Sequence, residues 1–374
     1  MLRVVFVSAT DEIGGADQSL FELVASLDRA RIDPLVVLPH EGPFAKRYRE
    51  LGVRVRVVPL RKLKNTANPL WHLRWIAAAP FRVLRLLRLF AEIDADVIHV
   101  NTSVEVLAGV AAAIHCRRRR CRLVWHVREM ELRPRIVERV LFGAVRRLAD
   151  AVIAISTPVA RRIGERERVF VIPNGIDLSR HRAGRNRAGL EAGPILGWVG
   201  RIAPGKGLGH VLDAFRLVRN EIPSARLLVM GAAVKGHEDL AARLRRTAAE
   251  MGPAVRWLEG GPCTERAFAR MDLFLHLPDV EEGLGRTVLE AQASGVPAVV
   301  WPRGGLVDAV KDGVTGRFAP AGDVQAAARA AVSLLRDTPG LLRMSESARA
   351  FVAERFAREG SARAVERAYE EVLA

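Results

Sequence analysis

No uninterrupted apolar run among the 374 residues reaches the roughly 18 to 20 positions that a membrane span needs. The amino-terminal MLRVVFVSAT is too short in its apolar part for a signal peptide and reads as a first strand. Cysteine is scarce. Cys116, Cys121 and Cys263 are odd in number and lack zinc-type spacing, which fits reduced thiols in a cytosol. Asp94-Ala-Asp96 is formally a D-x-D pair, but it precedes a strand, at the end away from the expected ligand edge, so no metal site is expected there. The chain carries no nucleic-acid-binding motif beside its basic charge, which argues against nucleic acid as a partner.

What is present is an ordinary globular composition, 49% hydrophobic against 27% charged, in a chain long enough for two domains. The net charge of +16 is unevenly spread: residues 1–175 hold 30 lysines and arginines against 18 acidic residues, and residues 176–374 hold 28 against 24. An excess of this kind suits an anionic partner, although GC-rich coding also raises arginine content. Much of it lies in Arg61–Phe90, where Arg82, Arg85 and Arg88 alternate with leucine and valine downstream of Trp71 and Trp75. Such a stretch suits the headgroup boundary of an anionic bilayer, or else is a plain crossover helix with its arginines in water. Arg117–Arg120 adds four charges in an expected loop.

Short apolar runs and amphipathic stretches alternate along the first half. Strands are expected at Arg3–Ala9, Leu35–Leu38, Val53–Val58, Asp96–Val100, Arg122–Val127, Ala151–Ile155 and Val169–Ile172, with helices between them, one of them Arg135–Leu148. Repeated βα units imply a parallel sheet covered on both faces. The first unit carries Gly14-Gly15 in a loop before a helix opening at Asp17, where a ligand can approach the backbone. His99, Asn101 and His126 sit at strand ends, where such sheets bind ligands, though a histidine there also serves as a partner of the backbone.

After Pro173-Asn-Gly-Ile-Asp177 a polar, glycine-rich stretch marks a domain boundary, and a second βα series opens at Ile195. Its first strand delivers Arg201 and the following glycine loop delivers Lys206, two cations suited to a diphosphate without Mg²⁺. The densest stretch is Pro278–Gly305. Glu282 precedes a turn at Gly283 and Gly285, and Glu290 lies about one turn into the helix that follows. The helix start is a seat for phosphate, and the two carboxylates suit hydroxyls on a ribose and a sugar.

Together these residues resemble the family 4 retaining glycosyltransferases of the GT-B type. The resemblance spans nearly the whole chain: the Gly14-Gly15 loop, the IPNGID hinge, GR-x4-KG at Gly200–Gly207, E-x7-E from Glu282 to Glu290, and GG-x2-D ending at Asp308. It implies an α/β fold of two Rossmann-like, doubly wound domains facing across a cleft. Residues 1–175 would be the acceptor-side domain, 176–193 the linker, 194–355 the nucleotide-sugar domain, and 356–374 a helix packing back on the first. The catalytic candidates carried over are Glu282, His126, Arg201 and Lys206. The donor-binding ones are Gly14, Gly15, Arg201, Lys206, Gly283, Leu284, Gly285, Arg286 and Glu290. Arg201 and Lys206 would neutralise the diphosphate, Glu290 accept from the ribose, Glu282 hold the sugar, and His126 lie near the reacting centre. No metal and no cofactor are implied, since the nucleotide sugar is a substrate.

Three positions depart from the family pattern. Arg286 stands where an aliphatic residue is commoner and is expected to contact the distal phosphate or an anionic acceptor. Asp308 replaces a commoner glutamate, and Gln292 replaces a methionine in what reads as packing. The resulting expectation is sugar transfer to a lipid-linked or cell-surface glycan acceptor by a protein peripheral on the cytoplasmic face of an anionic membrane. A GT-B nucleotide-sugar epimerase and a non-catalytic GT-B subunit are the rival readings.

Overall fold

A strand buried on both faces must be apolar at every position, and the chain's short apolar runs meet that demand. A computed structural model describes the chain except residues 9, 12–13, 61–68, 131–134, 182–192 and 262 and the side chains of 69, 72 and 136. It divides into two units, Met1–Gly175 with Arg358–Ala374, and Ile176–Ala357.

In the first unit, β1 (Leu2–Val7), β2 (Ile32–Leu38), β3 (Arg54–Val57), β4 (Val97–Val100), β5 (Arg122–Val127), β6 (Ala151–Ala154) and β7 (Val169–Val171) form a parallel sheet. Their order is β3-β2-β1-β4-β5-β6-β7. The interior strand β1 is sealed at Val4–Val7, whereas RVRV of β3 stays largely exposed, as an edge should. The connecting helices are α1 (Gly15–Ala25), α2 (Pro43–Glu50), α3 (Pro69–Ala77), α4 (Ala79–Glu92), α5 (Val106–Arg118), α6 (Arg135–Leu148) and α7 (Thr157–Ile163).

The second unit repeats the plan. Strands β8 (Ile195–Val199), β9 (Arg226–Gly231), β10 (Val255–Glu259), β11 (Leu273–His276), β12 (Ala298–Val300) and β13 (Gly316–Phe318) run parallel in the order β10-β9-β8-β11-β12-β13. They alternate with α8 (Leu208–Glu221), α9 (Glu238–Ala249), α10 (Glu265–Phe268), α11 (Arg286–Ala293), α12 (Leu306–Ala309), α13 (Val324–Arg336) and α14 (Thr338–Arg355). The last helix, α15 (Arg358–Leu373), belongs to the first unit, where Ala362, Val365, Ala368, Tyr369 and Val372 join its apolar core. In both sheets strand order reverses direction beside the first strand, at β1/β4 and at β8/β11. Ligands of such sheets bind at the carboxyl ends of strands flanking that point.

Several expectations change. Cys116 and Cys121 are disulfide-bonded rather than reduced, because the turn from α5 into β5 brings their Cα atoms to 4.8 Å, within the span a disulfide bridges. Cys263 is free and exposed. The first helix opens at Gly15, not Asp17: the Asp17 carboxylate turns inward to accept from Ser8 Oγ (3.2 Å) and Thr10 Oγ1 (2.8 Å), leaving Gly14 as the extended residue before the helix. Residues 12–13 of that loop, 61–68 of the basic stretch and 182–192 of the expected linker lie outside the described residues. The rest of the basic stretch is two helices, with Pro80 in the first turn of α4, the position a proline tolerates. Strand β13 and helix α10, three and four residues long, are too short to show a period.

Candidate active site

Two glycine loops build the charged edge of the second sheet. The first leaves β8 with Arg201 and returns through Gly205 and Gly207 into α8. Gly207 has φ +80, and a Cβ there would lie 2.0 Å from the Leu277 carbonyl oxygen, so only glycine lets this loop rest on the end of β11. The backbone N–H of Asp279 donates to the Gly205 carbonyl at 2.9 Å, closing the seam. The second loop, 277–285, is buttressed by Gly305, where a Cβ would stand 2.1 Å from the Gly283 oxygen. Gly305 N donates to Glu282 O at 2.7 Å.

This docking carries Lys206 to Glu282, whose Nζ and Oε1 are 2.7 Å apart. His276, at the last position of β11, brings Nε2 to 3.4 Å from the same oxygen. Burial pushes the Glu282 carboxyl up, but His276 and the Lys206 ammonium outweigh it and hold the group below the usual carboxylate range. One turn on, Arg286 Nε donates to Glu290 Oε1 at 2.8 Å, and Thr264 Oγ1 lies 3.4 Å from Glu290 Oε2. The Arg286 charge, expected to reach a phosphate or acceptor, is therefore held by its own helix neighbour. Helix α11 opens at Gly285, with φ +87 and no side-chain cap; Leu284, just before, is buried. Gly283 precedes them in the same loop. Arg201 is exposed at the edge, and no ion pair engages it among the described residues. Gln292 does more than pack: its Nε2 donates to the Ala309 carbonyl at 2.7 Å and ties α11 to α12.

The corresponding edge of the first sheet is built differently. His126, at the penultimate position of β5, is 3% exposed, and His99 of β4 is sealed. His99 Nε2 and His126 Nδ1 are 3.1 Å apart, and Tyr369 Oη of α15 reaches His99 Nδ1 at 2.7 Å. Arg128 donates from Nε and Nη2 to Asn101 Oδ1 at 3.1 and 2.8 Å, and its guanidinium also meets Asn174 Oδ1. Burial first, and the Arg128 charge second, lower the His99 pKa to about 3, and the same two causes, with His99, push His126 well below its ordinary value. Gly14 precedes α1 at the end of the adjoining loop, and Gly15 starts it.

Sequence reasoning did not single out His276, Arg128 or Tyr369. The one signal for His276 is a polar residue inside an otherwise apolar strand. Arg128 borders the Arg122–Val127 run, Asn174 lies inside the Pro173–Asp177 stretch, and nothing local marks Tyr369. Asp94 and Asp96 lie at the opposite end of the first sheet, where Asp94 Oδ2 is 2.7 Å from Arg3.

Two family models match the chain: "Glycosyltransferase Family 4" over residues 13–180 and "Glycosyl transferases group 1" over residues 184–351. The 2-deoxystreptamine glucosyltransferase of Streptomyces kanamyceticus is 29% identical over 355 residues, covering 86% of this chain and 89% of that protein. The lipopolysaccharide core biosynthesis mannosyltransferase LpsB of Rhizobium meliloti (strain 1021) is 30% identical over 287 residues, 68% of this chain and 81% of that protein. Among solved structures, Anabaena Alr3699/HepE in complex with UDP-glucose matches with a TM-score of 0.83 at 24% identity, over 99% of this chain and 100% of that one. That likeness is one of fold, and the fold is GT-B.

Proposed function

The chain belongs to glycosyltransferase family 4, and from that premise we propose that it is a retaining, metal-independent enzyme acting on a nucleoside-diphosphate sugar. The observation that carries this reading is the Lys206–Glu282 pair at 2.7 Å, set just before the start of α11. A diphosphate entering there meets the Lys206 ammonium, the exposed Arg201 and the N–H groups around Leu284 and Gly285. As Lys206 turns to phosphate, the Glu282 carboxylate is released to accept from a sugar hydroxyl. Glu290 takes the ribose hydroxyls, and His126 and Gly14-Gly15 serve the sugar and donor, as the family resemblance assigns them.

In the reaction the bond from the anomeric carbon to the phosphate oxygen breaks, and its electron pair goes to that oxygen. Arg201, Lys206 and the α11 start stabilise the growing negative charge, an electrostatic contribution of the size that dominates many active sites. The acceptor hydroxyl forms its bond to the same face of the sugar, and its proton passes to the departing phosphate. An epimerase of the same fold would convert the donor alone, but the relatives named above are transferases.

We place the acceptor on a lipid or cell-surface glycan, at the cytoplasmic face of an anionic membrane. Support comes from α3 and α4, where Leu70, Leu73, Ile76 and Phe81 are 62–77% exposed beside exposed arginines, while Leu86, Leu89 and Phe90 anchor α4 inward. Among the described residues no helix is long and apolar enough to cross a membrane. Flotation with anionic liposomes at low salt tests this, and failure to float would remove the membrane part alone.

The donor site is tested by thermal melting with UDP, GDP, ADP and dTDP, comparing wild type with Glu290→Ala. A nucleotide at a hundred times its Kd adds about 2.7 kcal/mol to the folded state. Stabilisation of wild type by one nucleotide, lost in the variant, is the expected result and names the base. Indifference to all four would overturn the reading.

A further inference from the structure

The buried polar chain of the first unit has a direction. Arg128 is the group that sets it, because a guanidinium can only donate. Its Nη2 lies 3.4 Å from His126 Nδ1, on the side already approached by His99 Nε2 at 3.1 Å. Two groups face one ring nitrogen, and one of them carries only hydrogens. His126 Nδ1 must therefore be bare, which places the ring proton on Nε2. A bare Nδ1 in turn needs the proton of the His99 pair on His99 Nε2. That leaves His99 Nδ1 as an acceptor, and the Tyr369 hydroxyl at 2.7 Å, kept protonated by burial, supplies its hydrogen. The reverse direction would set an N–H of His126 against the N–H of Arg128.

We propose that Tyr369 and His99 are positioning residues which, with Arg128, lock His126 as the neutral tautomer carrying its proton on Nε2. His126 Nε2 is buried and has no hydrogen-bond partner among the described residues, and ring geometry points it away from His99. It is thus a pre-set single donor rather than a base, suited to a hydroxyl or ring oxygen of a bound sugar and unable to take up the acceptor's proton. Both imidazoles are held neutral, so the lock does not loosen at neutral pH. Part of the lock comes from α15, the chain's last helix, which the sequence does not connect with chemistry. The sugar-donor role rests on the proposed function; the tautomer does not.

The experiment separates the two. Long-range ¹H–¹⁵N spectra of histidine-labelled full-length protein, with His126 assigned by loss of its signals in His126→Gln, report which ring nitrogen is bare. The expected wild-type pattern is a bare Nδ1 and a protonated Nε2 for His126, with Tyr369→Phe turning the His99 pattern into a mixture. A proton on His126 Nδ1 in the wild type would overturn the proposal, whatever the enzyme does. In turnover, His99→Leu should lower kcat about 10-fold with the donor KM little changed, the size of one lost hydrogen bond. His99→Gln, whose amide can donate from the place of Nε2, should recover most of that loss. Equal loss in the Leu and Gln variants would mean a merely structural role for His99 and would also overturn it. If the tautomer is as stated and no nucleotide shifts the melting temperature, the proposed function falls and the lock stands.

Discussion

The carboxyl edges of the two sheets occupy the same topological position and are furnished in opposite ways. At the second, charge is matched with charge: Lys206 with Glu282, and Arg286 with Glu290. At the first, two imidazoles and a phenol meet edge-on in a sealed, neutral chain, with the buried Arg128 fixing its direction. Under the proposed function the two edges serve different chemistry. A diphosphate needs cations, and here Lys206 and Arg286 are held in largely buried ion pairs, so a phosphate must take the place of the carboxylate as their partner. A sugar needs fixed neutral donors, and burial enforces neutrality on histidine.

Lys206→Ala should lower kcat/KM by about 100- to 1,000-fold in a sugar-transfer assay, the cost of removing one donor from a developing anion. A loss below tenfold would deny the charged edge its role. Gly207→Ala forces a Cβ into the Leu277 carbonyl at φ +80. It should destabilise the second unit by more than about 1 kcal/mol in urea unfolding. If stability is unchanged, the seam between the two glycine loops is not what holds Lys206 in place.

A pH titration tests the neutral edge. The folded His99 pKa is about 3 against 6.5 for a free histidine, so the unfolded chain takes up a proton first as pH falls. The stability His99 contributes is therefore present above 6.5 and lost as pH drops from 6.5 toward 3. His99→Gln should flatten that part of the stability curve by up to about 1.4 kcal/mol per pH unit. An unaltered slope would mean His99 is not the buried neutral group described. Glu282 works in the same sense at lower pH: its folded pKa is depressed, so its contribution fades only below the ordinary carboxylate range. The smallest effect is expected for Arg286→Ala. Because Arg286 is already held by Glu290, donor KM should rise only about 1.5- to 2.5-fold, near the worth of an i,i+4 ion pair. If the KM of donor and of acceptor both stay fixed, Arg286 contacts neither ligand.

Local pattern was sufficient for most elements. Helix α6 runs Arg135–Leu148 as its apolar period predicts, and β5 and β6 lie within a residue of their apolar runs. It failed where an element was shorter than a period, as in β13, or where a side chain found a distant partner, as when Asp17 turned inward to Ser8 and Thr10. The disulfide was missed for a related reason. Five positions separate Cys116 from Cys121, and only the tight turn from α5 to β5 makes that separation a contact.

Local sterics and periodicity set the alternation of strands and helices, the glycines at the loop ends, and the charged residues between them. Which of these residues meet is a matter of tertiary packing. Lys206 and Glu282 are 76 positions apart and meet because a glycine lets one loop lie on another. His99 and Tyr369 are 270 positions apart and meet because the last helix folds into the first core. Whether a charge is paired, or a ring neutral and directional, is settled by such encounters, since desolvation and hydrogen-bond direction are properties of a place and not of a residue.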